Sequence, residues 1–208
     1  MDILDKDGML LLSCQAESLR GAILTAVRLP NANLEGIDLG RVNLESAFLE
    51  RANLEMAILE HANFLNAALD MVNMDSAKLA HADLTGASMQ GAILDDADLS
   101  SAILVGSDLY WARMFRAKLT GANLENALLQ GSELGEADMR GANLRNANLG
   151  RDNLGGCTKL SGADLTGAIL DGANLEGATY GSGTKFPVGF DPKGHGMYEL
   201  SDNEDFGR

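Results

Sequence analysis

A large apolar residue returns every five positions along most of this chain. The series begins at Leu19 and runs without a break to Leu154, which gives 28 repeats. One extra residue in Gly155-Gly156-Cys157 shifts the phase, and the series resumes at Leu160 and ends at Tyr180, which adds five repeats. The residue two positions earlier is Ala in 24 of the 33 repeats. The other three positions are rich in Asn, Asp, Glu, Gly, Ser, Thr and Arg.

This period excludes an amphipathic helix. On an α-helix a step of five residues rotates the side chain by roughly 140°, so the large apolar residues would spiral around the cylinder. Two residues that are two positions apart instead share one side of an extended segment. Because the inward phase resets every five residues, a corner follows each short extended stretch. The pattern predicts a chain wound around a narrow core of leucine and alanine.

The repeats resemble the A(D/N)Lxx signature of the pentapeptide-repeat family. The segments that carry this resemblance are ANLEG at Ala32, ADLTG at Ala82 and Ala163, ANLEN at Ala122 and ANLRN at Ala142. The resemblance implies an all-β fold, a right-handed quadrilateral β-helix in which four repeats make one coil. About eight coils are then expected, which at the strand spacing of about 4.8 Å form a rod roughly 40 Å long.

The β-helix is expected over residues 17–181, with a one-residue bulge near 155–157. Residues 1–16 are the expected N-terminal cap, as a helix or an irregular turn, and residues 182–208 are the expected C-terminal cap and acidic tail. Caps are needed because the ends of a solenoid expose its core and unpaired backbone. The segment TKFPVGFDP at 184–192 resembles the ends of many cyanobacterial family members, and Phe186 and Phe190 are predicted to plug the last coil.

Charge and composition narrow the function. The net charge of −14 disfavours direct binding to nucleic acid or to anionic lipid. The acidic start, MDILDKDG, lacks the basic region of a secretory signal, so we expect a cytoplasmic protein. Cys14 and Cys157 form no CxxC and are expected to be unpaired thiols. No motif for a hydrolase nucleophile, a phosphate loop or a zinc protease occurs, so neither an enzyme nor a cofactor is predicted.

With a 20-residue coil, residues 20 apart lie above one another, and one such column is acidic. It contains Glu35, Glu55, Asp75 and Asp95, about 4.8 Å apart. One interpretation is a face that mimics the phosphates of DNA, as implied by a likeness to the quinolone-resistance members that bind DNA gyrase. The other is a solvated polar wall. Leucine rather than phenylalanine centres, and no long loop, argue against membership of the quinolone-resistance group.

The segment SDLYWARMFRAKL interrupts the polar surface. With Leu109 and Met114 inward, the predicted outward residues are Tyr110, Trp111, Arg113, Phe115 and Arg116. Gly91 and Gly131, in the column of Trp111, leave room for the indole to lie flat. Tyr, Trp and Arg are typical of interface hot spots, and the two arginines are expected to make the corner locally basic. The cluster predicts a contact surface for a protein partner; a surface for self-association, hence a homodimer, and no role are the alternatives.

His61 and His81 share a column, but no third ligand is evident, so no metal site is predicted. The sequence as a whole favours a non-enzymatic protein-binding scaffold or regulatory protein that uses the exposed faces of the β-helix. The alternative is a DNA-mimicking binder of DNA gyrase.

Overall fold

The chain winds so that equivalent positions return every 20 residues. In the computed structural model, which describes residues 2–13 and 18–201, single-residue parallel bridges join Ile23 to Asn43 and Asn43 to Asn63. The next bridges in the same coil begin at Arg28, Asn33 and Asp38. Each coil therefore contains four repeats, and we name its four faces by these first residues. The described residues contain no α-helix, so the predicted β-helix solenoid is confirmed.

A tight turn at every corner produces this winding. In the turn that begins at Leu54, the Ala57 N–H donates to the Leu54 carbonyl at 3.1 Å, and the third residue, Met56, has a φ of 55°. The same turn position has a positive φ in repeat after repeat, with glycine in some and larger residues in others. Left-handed backbone at one position in five thus turns the chain through each corner.

The core is a single file of large and small residues. The large centre of each repeat and the small residue two positions before it point inward, as at Leu54 and Ala52, which are fully buried. Between them, Asn53 donates its N–H to the carbonyl of Ala32 below at 2.8 Å, and the Leu54 N–H donates to the carbonyl of Asn73 above at 2.7 Å or less. The inward residues therefore pack on the coils that these hydrogen bonds join.

The N-terminal cap is a β-hairpin, not the predicted helix or irregular turn. Strand β1, Asp2–Leu4, pairs in antiparallel fashion with strand β2, Leu10–Ser13. Ile3 is buried against the core, and the carbonyl of Leu4 accepts the N–H of Asn33 at 2.8 Å. Apolar alternation around Ile3 lets this segment lie along the first coil, which a helix would not pair with.

The C-terminal cap is built from stacked rings and two short strands. Strand β3, Thr179–Tyr180, pairs in parallel with β4, Tyr198–Glu199, after a 3₁₀ turn at Lys193–His195. Phe186 and Phe190 pack against the core, with ring centroids 5.3 Å apart. The predicted aromatic plug is therefore present.

The predicted one-residue bulge is wrong, because a whole repeat is looped out with it. Below this point the bridges join residues 20 apart, but Glu133 pairs with Lys159, 26 positions later. Leu154, expected inside as the last centre of the unbroken series, is 84% exposed. The core place after Leu149 is taken by Leu160, and six residues project as an insertion loop, residues 151–156.

Buried Thr158 re-starts the winding after the loop. Its hydroxyl donates to the carbonyl of Leu129 at 2.8 Å. Cys157, one residue earlier, is half-buried and forms no disulfide within the described part of the chain. Cys14 lies outside the described residues. The structure also has no helix, among residues 2–13 and 18–201, that is long and apolar enough to cross a membrane.

The left-handed corner makes a prediction at Gly106, which has a φ of 63° and open space around its missing Cβ. Gly106→Val should lower the free energy of unfolding by about 1–2 kcal/mol, because a β-branched residue is strained at this φ. Gly106→Asn should cost less, since Asn66 and Asn126 occupy the same turn position. Urea denaturation followed by circular dichroism measures both. Equal stability of the two variants would contradict the strain argument.

Candidate functional site

The predicted aromatic and basic residues occupy one face and the two corners beside it. Tyr110 and Trp111 form the corner between the Arg28 and Asn33 faces, in a turn closed by the Ala112 N–H on the Leu109 carbonyl at 3.0 Å. Arg113 lies in the middle of the Asn33 face, paired with Ile93 below and Glu133 above. Phe115 and Arg116 form the following corner. The five side chains therefore span a face rather than one corner.

Trp111 packs on two glycines. A Cβ at Gly131, in the coil above, would lie 3.1 Å from the indole, and one at Gly156, in the insertion loop, would lie 2.6 Å from it. Gly131 was predicted to make this room. Gly91 below instead faces Met71, 3.7 Å from its would-be Cβ. The indole remains 48% exposed, so its packed edge is held by the protein and its other edge faces solvent.

One carboxylate fixes the insertion loop to the aromatic corner. Asp152 Oδ2 accepts hydrogen bonds from the Tyr110 hydroxyl at 2.7 Å and from Trp111 Nε1 at 2.9 Å. Its Oδ1 accepts the backbone N–H groups of Leu154 at 2.8 Å and Gly156 at 2.6 Å. Four donors to one carboxylate order the loop and orient both rings.

The same contacts shift two pKa values. Desolvation of the Asp152 carboxyl acts to raise its pKa, but the hydrogen bonds from Tyr110, Gly156, Leu154 and Trp111 outweigh it, so the pKa is lowered. The hydrogen bond to Asp152 raises the pKa of the Tyr110 hydroxyl. A lowered carboxyl pKa means that this contact stabilises the fold above the ordinary Asp range and is lost only as the pH falls through the lower, folded-state pKa.

The expected local positive charge is neutralised. Arg113 pairs with the Asp95 carboxylate, which is only 6% exposed and also accepts the Phe115 N–H at 2.9 Å. Arg116 binds Asp96 through two hydrogen bonds, from Nε at 2.7 Å and from Nη2 at 2.5 Å, and this pair lowers the pKa of the Asp96 carboxyl. The guanidinium of Arg116 also lies 4.7 Å from the centroid of the Phe115 ring. Neither arginine provides uncompensated charge for a carboxylate on a partner.

The acidic column lies on the same face, directly below this cluster. Backbone hydrogen bonds of 2.8–2.9 Å join its coils, from Gly36 to Glu55, from Met56 to Asp75 and from Ser76 to Asp95. Glu35 is exposed, Glu55 and Asp75 are half-buried, and Asp95 is buried. Above Asp95 the column continues with Phe115.

Neighbouring amides and hydroxyls reduce the repulsion within this column. Asn73 Nδ2 donates to Glu55 Oε2 at 3.2 Å, and the Ser76 hydroxyl donates to Asp75 Oδ1 at 2.7 Å. The amide of Asn53 lies 3.4 Å from Glu35 Oε2. Within the described segments, none of these three carboxylates has a cationic partner. The exposed acidic surface is therefore three coils long, while the fourth carboxylate belongs to the ion-paired cluster.

His61 and His81 stack with their ring centroids 4.9 Å apart and their planes inclined by 7°. No group of three potential metal ligands occurs among the residues that the structure describes.

Sequence reasoning missed Asp152, Leu154 and Gly156. Asp152 occupies the place, two before an apparent centre, that almost always holds a small apolar residue. A carboxylate there cannot be buried without a partner, so this residue was the available signal that the repeat ending at Leu154 leaves the core.

Comparisons with known proteins agree with this architecture. The family model described as "Pentapeptide repeats" matches eight copies, over residues 37–75, 77–116, 112–151 and 158–179. A comparison with curated protein sequences found no match.

Solved structures give two informative likenesses. HetL, a pentapeptide repeat protein involved in heterocyst differentiation regulation in the cyanobacterium Nostoc sp. strain PCC 7120, is 30% identical. The alignment covers 89% of this chain and 90% of HetL, with a TM-score of 0.53. Trypsin-treated QnrB1, a plasmid-mediated fluoroquinolone resistance protein, is 19% identical over 81% of this chain and 84% of its own, with a TM-score of 0.62. At that identity QnrB1 supports the fold alone.

The Asp152 contacts predict a local effect of removing this carboxylate. In Asp152→Ala, hydrogen exchange of the Leu154 and Gly156 amides should accelerate by about tenfold or more, because both lose their acceptor. The emission of Trp111, the single tryptophan, should shift to longer wavelength as its ring loosens.

Asp171→Ala is the matched control, since Asp171 is an exposed aspartate whose partner is Arg145 at 3.4 Å, in a different column. Its loop exchange and emission should equal those of the wild type. Unchanged loop exchange in Asp152→Ala would show that the backbone alone holds the loop.

Proposed function

Because this chain belongs to the pentapeptide repeat family, we propose that it is a non-enzymatic protein-binding scaffold or regulatory protein that uses the exposed faces of its β-helix. The observation that carries this proposal is the aromatic cluster of Tyr110, Trp111 and Phe115 on an otherwise polar wall. Aromatic residues that are held in place yet partly exposed are typical of interface hot spots. The likeness to HetL, a protein involved in regulation, supports a regulatory role here.

Several finer statements belong to the same proposal. The β-helix is right-handed, as the family resemblance implies, with about eight coils at four repeats per coil. The partner is a protein, and the chain binds neither nucleic acid nor a membrane directly, because its net charge is −14. We place it in the cytoplasm. Self-association through the aromatic cluster, giving a homodimer, is the alternative use of this surface.

The charge pairs change the expected chemistry of the partner. Because Arg113 and Arg116 are paired with Asp95 and Asp96, the cluster has no surplus positive charge. Below it, Glu35, Glu55 and Asp75 carry uncompensated negative charge on the same face. A partner that covers the face would bury its apolar part on the aromatic rings and place basic groups along the acidic column.

Replacing the exposed indole tests the proposal. Trp111→Ala should reduce the recovery of a specific partner from lysate by about tenfold or more, since a hot-spot aromatic contributes 2 kcal/mol or more to binding. Quantitative mass spectrometry of captured proteins gives the recovery. Met56→Ala is the matched control, because Met56 is similarly exposed, at 51%, on another corner.

Because Trp111 also packs on the protein itself, capture should be carried out below the unfolding midpoint of each variant. Equal recovery by wild type, Trp111→Ala and Met56→Ala would contradict the proposed surface.

A DNA-mimicking binder of DNA gyrase is the second candidate, favoured by the stacking of Glu35, Glu55 and Asp75 at the coil spacing. We expect no inhibition of gyrase supercoiling at micromolar protein, because the acidic run ends at Asp95, which is buried beside Arg113. A DNA duplex presents a far longer line of charge.

Inhibition that disappears in the triple variant Glu35→Gln, Glu55→Gln, Asp75→Asn would instead establish the mimic. The control removes as many charges from the other faces, by Glu45→Gln, Glu50→Gln and Glu60→Gln. Inhibition lost equally in both triple variants would indicate net charge and no defined face.

A further inference from the structure

The insertion loop presents the most exposed leucine of the described chain. Leu154 is 84% exposed at the tip of the loop, whereas other leucines of the five-residue series lie in the core. Its backbone N–H and Trp111 Nε1 bind the two oxygens of one carboxylate, that of Asp152. The two nitrogens are therefore within about 8 Å of each other, given these hydrogen-bond lengths. Leu154 and Trp111 thus form a single apolar surface.

A third apolar residue extends this surface along the Arg28 face. Leu128 is 42% exposed, and the segment it begins runs beside Trp111 in the next coil, where the Trp111 N–H donates to the Gln130 carbonyl at 3.1 Å. Apolar residues from the loop, the corner and the face are therefore contiguous, which single exposed leucines on a soluble protein are not.

The loop is held in its shape before any partner arrives. Four hydrogen bonds to Asp152 and the contact of Gly156 with the indole fix the backbone on both sides of Leu154. An interface that is ordered in advance loses less conformational entropy on binding. Fixing a leucine in water has no benefit for folding, because burial of that side chain would stabilise the fold instead.

The charges beside this surface are negative and lack cations. Asp108 pairs with Leu128 across adjacent coils, and its carboxylate accepts only the Gln90 side chain, at 2.7 Å. Glu125 lies one turn before Leu128, with the amide of Asn143 3.4 Å away. Neither has an ion pair within residues 2–13 and 18–201. The adjacent cation, Arg151, lies over the ring of Tyr198, 5.7 Å from its centroid.

We propose that Leu154, Trp111 and Leu128 form a preorganised docking surface for an amphipathic segment of a partner protein, with an apolar side flanked by Lys or Arg. Asp152 is the positioning residue that holds the loop and the indole together. The apolar side covers Leu154 and Trp111, and the basic flanks meet Asp108 and Glu125. This inference rests on the proposed protein-binding function and assigns it a partner chemistry and a further residue, Leu154.

The single tryptophan makes the surface observable. The probe is a synthetic amphipathic peptide of Leu and Lys, about 18 residues long, so that it forms about five helical turns and contains no tryptophan. Addition of this peptide should shift the Trp111 emission to shorter wavelength in a saturable way. A peptide of the same pattern with Glu in place of Lys should give no shift, because it would meet like charge.

Leu154→Asp separates apolar docking from general attraction to an acidic protein. It should weaken binding of the Leu/Lys peptide by about tenfold or more through loss of the apolar contact, although it adds a negative charge. Ile23→Asp adds the same charge at a residue of similar exposure, 77%, in the first coil, and should bind the peptide like the wild type.

Three results would overturn the inference. The first is an unchanged emission with the Leu/Lys peptide, and the second is equal or tighter binding by Leu154→Asp, which would show unspecific charge attraction. The third is an emission shift that depends on protein concentration without peptide, which would assign the surface to a second copy of this chain. A failed peptide titration with capture of a partner that still depends on Trp111 would leave the proposed function in place and remove only this assignment.

Discussion

The backbone hydrogen bonds between coils are the interaction on which the rest of the structure depends. Each inward centre donates its N–H to a carbonyl 19 residues later, as Leu54 does to Asn73, and this requires the chain to return to the same place after four corners. The return is possible only if each corner is tight, which places left-handed backbone at residues as large as Trp111 and Arg116. The narrow interior that results holds one large and one small side chain per repeat, which accounts for the alternation of leucine and alanine.

The period of five was sufficient to predict the architecture and the inward residues. Its strength is physical: an inward position filled by anything but a small or aliphatic residue would leave a cavity or a buried polar group, so the sequence shows the core directly. The N-terminal hairpin was not predictable in the same way. Ile3 and Leu12 lie outside the repeat, and their pairing depends on the exposed edge of the first coil, which exists only once the solenoid has formed.

The candidate site was predicted in its members but not in its contacts. The outward direction of Trp111 follows from the register, whereas its partner Asp152 is 41 residues away and joins it only through the insertion loop. The interval from Leu149 to Leu160 fits both a one-residue shift and an expelled repeat, so period alone does not distinguish them. The charge pairs escaped prediction for a related reason. The register places Asp95 near Arg113, but whether side chains on neighbouring coils meet depends on rotamers that a column map does not contain.

The stacking of side chains between coils gives the outer surface its own neighbourhood. Arg116 meets Asp96 and Lys118 meets Asp98, each 20 residues away, while Arg113 meets Asp95 at a separation of 18. Residues adjacent in the chain, by contrast, turn toward different sides. A substitution on this surface is therefore felt first by residues one coil above and below, so functional divergence between relatives should be inherited as vertical stripes of linked changes, invisible to a reader who compares the chains five residues at a time.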